Sequence, residues 1–170
     1  MGGRTWWRAV IASTRTGTKR RTMATMSFKG QHEHSLDDKG RVIVPKSYRE
    51  AFADGMFLTQ GLEGCLWLFP SARWEAITDR LADTDLTATG PRLLERLIYP
   101  GLDLTLDRQG RIAIPPTLRD FAGLAPSQPV MLLGVKDRIE LWQPELWRAH
   151  SREILTQLKD AFVTTGPLGL

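Results

Sequence analysis

The pattern of apolar and polar positions along this chain repeats itself. Leu36 is followed by the polar stretch Asp37-Asp38-Lys39-Gly40-Arg41, the aliphatic run Val42-Ile43-Val44, then Pro45 and, four residues on, Arg49. At an offset of 70 positions Leu106 is followed by Asp107-Arg108-Gln109-Gly110-Arg111, Ile112-Ala113-Ile114, Pro115 and Arg119. Further on, Leu66-Trp67-Leu68-Phe69 with Trp74 recurs as Ile139-Glu140-Leu141-Trp142 with Trp147 at an offset of 73, which places three extra residues in an intervening loop of the second copy. Recurrence at a fixed offset marks two copies of one supersecondary unit. The copies are placed at residues 31–77 and 104–149, with a helical connector over 78–103 and a C-terminal helix and frayed tail over 150–170.

Each unit has a physical reading. An Asp three residues before a Gly, between apolar segments, is turn chemistry: the carboxylate accepts from backbone amides two residues on, and Gly supplies the positive φ that ends a bulged hairpin turn. A hairpin is therefore expected, with Arg41 and Arg111 at the first position of the returning strand. The all-apolar runs after them read as buried strands. Pro45 and Pro115 then stand at helix starts, where a missing N–H costs nothing. Short helices are expected over Lys46 to Ala53 and Pro116 to Ala122, with Gly123 as the C-terminal cap of the second. Each unit is thus strand, turn, strand, short helix and a second strand pair. Helices follow from Ser71, whose Trp74, Ile77 and Leu81 share a face, from Pro91, and from Pro144, whose Trp147, His150, Ile154 and Leu158 share another. A unit of about 45 residues is too small to bury its own strands. The two are expected to interleave into one barrel-like core with a pseudo-twofold axis, a mainly β fold with flanking helices (α+β).

Composition changes this picture only at the N-terminus. The chain of 170 residues has 23 Lys+Arg against 19 Asp+Glu, but six of the basic residues and no acid fall in residues 1–25. The remaining 145 residues carry 17 basic and 19 acidic residues, net −2, so the basic isoelectric point alone does not argue for a nucleic-acid partner. Residues 1–25 are expected to be a disordered basic leader. Their composition suits an organelle transit peptide, a phosphate-binding arm, or sequence upstream of the true start; the last is favoured because Met23 and Met26 offer starts just before ordered-looking sequence. A single cysteine, Cys65, excludes an internal disulfide and a thiolate-rich metal site, and fits a reducing, cytoplasmic setting. No stretch approaches the ~18 apolar residues of a membrane span.

The doubled motif, with Phe28-Lys29-Gly30 just ahead of it, resembles the MraZ family of bacterial transcriptional regulators. Leu62-Glu63-Gly64-Cys65-Leu66-Trp67-Leu68-Phe69-Pro70 with Trp74, Leu132-Leu133-Gly134-Val135, and Ile139-Glu140-Leu141-Trp142 extend the resemblance over residues 26 to about 160. It implies an AbrB-like, double-split (swapped-hairpin) barrel built from two internal repeats, and assembly into a closed homo-oligomeric ring. It also implies binding to short direct repeats in double-stranded promoter DNA upstream of the division and cell-wall gene cluster, usually to repress it, in the cytoplasm at the nucleoid. One departure is that Met26-Ser27-Phe28 has an extra residue where family members place Met directly before the Phe, and a leader stands before it.

Charge is segregated in a way that suits this function. Residues 26–49 are net +2 and residues 103–119 net +1, whereas residues 50–102 are net −4 and residues 120–170 net −1. Arg41 and Arg111 are the candidates for direct DNA contact, the role the resemblance assigns to the motif Arg. Either can instead pair with Asp37 or Asp107 across its own turn. Lys39 and Arg108 at the tips are candidate phosphate contacts; Lys29 and Lys46 are either further DNA-binding candidates or merely solvated. Asp37, Gly40, Asp107 and Gly110 read as turn builders, and Arg49 and Arg119 either as partners in fold-stabilising ion pairs, the favoured reading, or as DNA contacts. His32 and His34 share a strand face without an evident third metal ligand, and Trp67, Trp74, Trp142 and Trp147 read as core. No cofactor, small-molecule substrate or catalytic constellation is indicated. The alternative to a DNA-binding regulator is an antitoxin-like protein-interaction module on the same barrel.

Overall fold

The computed structural model describes residues 27–82 and 89–165. The leader expected at residues 1–25, the starts at Met23 and Met26, and the tail beyond residue 165 lie outside the described residues. In chain order the elements are β1 (Phe28–Ser35), β2 (Arg41–Ile43), the 3-10 helix α1 (Lys46–Phe52), β3 (Met56–Gln60), β4 (Leu66–Pro70), α2 (Ser71–Ala82), α3 (Thr89–Ile98), β5 (Leu102–Leu104), β6 (Arg111–Ala113), α4 (Pro116–Phe121), β7 (Pro129–Lys136), β8 (Arg138–Trp142) and α5 (Pro144–Thr165).

The local chemistry sets these boundaries. Pro45 and Pro115, with φ of −51° and −58°, end the β2 and β6 segments and open the two short helices. Past α4, Gly123 adopts a φ of 63° and the Leu124 amide donates back to the Arg119 carbonyl at 2.8 Å, the left-handed helix stop expected from its position. The extra residues of the second copy lie between α4 and β7, where buried Leu124 fills part of the core.

Strands from the two copies interleave. Six form an antiparallel sheet in the order β1-β7-β8-β4-β3-β5, and β2 and β6 form a separate two-stranded ribbon. The first strand of each copy pairs with the third strand of the other, β1 with β7 and β5 with β3. The fourth strands pair with each other about Trp67 and Glu140, and the second strands about Val42 and Ile112. Trp67 and Glu140, like Val42 and Ile112, are equivalent positions of the two copies, so one pseudo-twofold axis passes through both pairs. This is the swapped-hairpin arrangement. A single cluster that includes Val42, Ile112, Leu58, Leu68, Leu132 and Leu141 fills the space between sheet and ribbon.

Two sequence expectations need correction here. The Asp-x-x-Gly turns form, but they do not close hairpin ladders within a copy: β1 and β2 diverge after the turn and find their partners in the second repeat. Nor are the aliphatic runs buried throughout. Val42, Val44, Ile112 and Ile114 are buried, while Ile43 is 37% exposed and Ala113 is exposed, so the ribbon has an inner and an outer face. Alternation is hidden in the sequence because the outward positions are apolar too.

The copies also lock through arginines at equivalent positions, Arg49 and Arg119. Arg49 Nε donates to the Val44 carbonyl at 2.9 Å and Arg119 Nε to the Ile114 carbonyl at 3.0 Å, so the partner of each is a carbonyl and not the carboxylate expected from sequence. A Cβ on Gly40 would stand 2.7 Å from Arg119 Nε, and one on Gly110 would collide still harder with the Arg49 guanidinium. Each turn glycine, at φ of 71° and 77°, therefore seats an arginine of the opposite copy. Gly110→Ala is expected to lower stability by about 1–2 kcal/mol from left-handed backbone strain, plus the cost of displacing Arg49. In an Arg49→Ala background only the strain part should remain, and a double-mutant cycle by urea denaturation measures the difference.

Candidate nucleic-acid interface

The turns that flank the ribbon are built by their aspartates. Asp37 Oδ1 accepts the backbone amides of Lys39 (3.0 Å) and Arg41 (2.9 Å), and Asp107 Oδ1 those of Gln109 (2.8 Å) and Arg111 (2.9 Å). Main-chain bonds from Gly40 to Asp37 (3.0 Å) and from Gly110 to Asp107 (2.9 Å) complete each turn. The second carboxylate oxygen takes the arginine: Arg41 Nε lies 2.6 Å from Asp37 Oδ2 and Arg111 Nε 2.8 Å from Asp107 Oδ2. Arg111 also reaches across the pseudo-twofold axis, its Nη1 at 3.7 Å from Asp37 Oδ2.

The pairing of arginine with its own turn aspartate, one of the two roles open from sequence, is therefore present. It does not use up the guanidinium. Each carries five N–H donors, more than the carboxylates engage, and the side chains remain 29% and 24% exposed.

The β2·β6 register sets Arg41 opposite Ala113 and Ile43 opposite Arg111. With Val42 and Ile112 turned inward, these four side chains share the outer face of the ribbon. Lys39 and Arg108 are exposed at the turn tips on either side, and exposed Lys46 follows directly after Pro45. Lys29 stands apart, at the far end of β1 from the turn, where its carbonyl accepts the Tyr48 hydroxyl at 2.7 Å. The structure thus brings Arg41, Arg111 and both turns together and leaves Lys29 outside that group. Sequence reasoning missed Ile43 and Ala113 as surface residues.

Electrostatics follow the same bonds. Burial pushes the Asp37 carboxyl upward, but the Arg41 amide and guanidinium and the Lys39 amide outweigh it and hold the group below its ordinary value. The Arg111 amide, followed by its side chain and the Gln109 amide, does the same for Asp107 against a smaller burial effect. Burial, helped by Glu140 and Glu63, pushes the Cys65 thiol up to about 12, so it is not a thiolate near neutral pH. His32 and His34 stack with ring centroids 6.5 Å apart, and no group of three metal-ligating side chains is found among the described residues. Trp142 is core, Trp67, Trp74 and Trp147 are half-buried, and His150 stacks on Trp142 at 5.0 Å. No described helix is long and apolar enough to cross a membrane.

Because both carboxyls are held below the unfolded value of about 4, their bonds contribute stability above that pH and lose it as pH falls through the folded-state values. Asp37→Asn with Asp107→Asn keeps an acceptor for the backbone amides and removes the ionised partner of the arginines. The double variant is expected to be less stable than the parent at neutral pH and to converge with it in acid, as read from urea midpoints across a pH series.

Comparison with known sequences agrees with this geometry. A family model described as "MraZ protein, putative antitoxin-like" matches residues 27–97 and 102–164. A protein of Thermus thermophilus named transcriptional regulator MraZ is 41% identical over 129 residues, covering 75% of this chain and 90% of the relative. Proteins of the same name from Deinococcus radiodurans (42% over 121 residues, 71% and 84%) and Natranaerobius thermophilus (36% over 127 residues, 74% and 87%) are also similar. The two matched segments contain the two copies of the turn motif and the strands that interleave, and the chain belongs to the MraZ family.

Proposed function

We propose that this chain is a sequence-specific transcriptional regulator that binds double-stranded promoter DNA through the outer face of the β2·β6 ribbon. One observation carries the reading: a two-stranded ribbon with two carboxylate-held arginines at diagonal positions on its outer face and further cations at its tips. The major groove of B-DNA admits such a ribbon, and a guanidinium fork matches phosphate or the O6 and N7 atoms of guanine. Relatives named transcriptional regulators support the assignment of the activity to transcription. Arg41 and Arg111 are assigned base or phosphate contacts, Lys39 and Arg108 phosphate contacts, and Lys46 and Lys29 supporting positive charge.

A body of net −2 needs more than one such ribbon. Assembly into a ring sets several on one face, so that weak contacts add by effective concentration to a target of direct repeats. Repression of the division and cell-wall cluster from an upstream site, in the cytoplasm at the nucleoid, completes the reading. The second reading is an antitoxin-like protein-interaction module, in line with the wording of the family description. The ribbon favours DNA, because a protein-binding face does not require paired, carboxylate-oriented guanidiniums beside solvated cations.

Gel shifts of the full chain and of residues 26–170, against the chain's own upstream region and a scrambled duplex, test the proposal. Specific binding is expected from both, with log K falling by about 0.9 per phosphate contact per log unit of salt. Arg41→Ala with Arg111→Ala should weaken specific binding by about 30-fold or more, at about 1–3 kcal/mol per guanidinium contact. Lys39→Ala and Arg108→Ala should each reduce the salt slope by about one with base preference unchanged. Unchanged affinity in the double arginine variant removes the contact assignment, and binding by the full chain alone, without sequence preference, transfers it to residues 1–25.

A further inference from the structure

The outer face of the ribbon is symmetric in backbone and asymmetric in chemistry. About the axis through Val42 and Ile112, Arg41 maps onto Arg111, but Ile43 maps onto Ala113. The tips differ as well, Asp38-Lys39 on one side and Arg108-Gln109 on the other. Ile43 is the anomaly. It is a β-branched aliphatic side chain, 37% exposed, with Arg41 two residues before it on the same face and Arg111 directly across the ladder. Its neighbour Val42, by contrast, is fully buried. An isolated exposed aliphatic residue needs no explanation by itself. Here it lies on one side of the ribbon's outer face, directly across the ladder from Arg111.

Among the base edges in the major groove only one group is apolar, the C5-methyl of thymine. We infer that Ile43 is a specificity-determining residue that packs on a thymine methyl beside the contact made by Arg111, and that the shorter Ala113 makes no equivalent contact beside Arg41. The inference rests on the proposed DNA reading and deepens it. Its consequence is polarity. A ribbon with Ile43 on one side and Ala113 on the other prefers one orientation on the duplex, so each chain reads a directional element. Copies related by translation along DNA, or by rotation of a ring that follows it, then need direct repeats and not inverted ones.

Thymine-to-uracil replacement tests this, because it deletes the methyl and leaves the hydrogen-bonding edge intact. A duplex selected by the full chain from a random library is resynthesised with each thymine singly replaced by deoxyuridine, and affinities are measured by gel shift. One position per element is expected to lose about fourfold, the factor contributed by one buried carbon group. Ile43→Ala should bind the thymine and uracil duplexes equally at that position. Its salt slope should match the parent's, since no cation is removed. Ala113→Ile should create a second thymine-sensitive position, on the other side of the ribbon's centre. Neutral uracil at every position, or thymine sensitivity that survives Ile43→Ala, overturns the inference while leaving DNA binding intact. Failure to select any duplex overturns the DNA reading and this inference together.

Discussion

The β2·β6 ladder is the constraint on which the rest depends. Each of its strands has three residues, too few to persist alone, and each pairs with its counterpart in the other repeat. On the inner face of the ladder Val42 and Ile112 sit on the pseudo-twofold axis with essentially no exposed surface. Past the ladder, the amide of Val44 donates to the Gly110 carbonyl at 2.9 Å and that of Ile114 to the Gly40 carbonyl at 3.0 Å. Each strand therefore ends on the turn of the opposite copy. That turn is held in place from the other side by Arg49 or Arg119, whose guanidinium occupies the space a side chain at the turn glycine would need. Each turn, closed by its own local bonds, is braced in addition by the opposite repeat.

This interdependence bears on the surface chemistry. An arginine on a free loop samples many rotamers, and ordering it on binding costs about 0.5–1.5 kcal/mol. Arg41 and Arg111 are ordered before any ligand arrives, because their aspartates hold the Nε edge while those same aspartates shape the turn. The cost is partial neutralisation: each guanidinium presents its remaining donors next to a carboxylate. The proposed function accommodates that by number, with two arginines per ribbon and several ribbons per ring, so no single strong contact is required.

Much of the site was legible before any coordinates. The Asp-to-Gly spacing identified the turns, and their positive φ values and aspartate-to-amide bonds follow from those two residue types alone. The fixed offset between copies implied pseudo-symmetry, and the size of each unit implied interleaving. The exposure of Ile43 and Ala113 was not legible, since period-2 alternation can be read only where the outward residue is polar. The role of Arg49 and Arg119 was not legible either. Their spacing from the proline is a helical turn, which points to a local ion pair, whereas their actual place depends on a glycine some 60–80 positions away.

The sequence alone determined the repeated unit, the turn chemistry, the positions of the short helices and the family, because each is encoded in residue types and spacings within about ten positions, or in the recurrence of such a pattern. Only the tertiary structure decided which strand pairs with which. A turn that forces the chain to reverse does not force the two strands beside it to hydrogen-bond, and buried aliphatic strands of similar length compete for the same edges. The inter-repeat pairing buries Val42, Ile112 and the leucines of both copies in one common core, which two separate local hairpins of this size could not supply. That pairing places the two arginines on one surface.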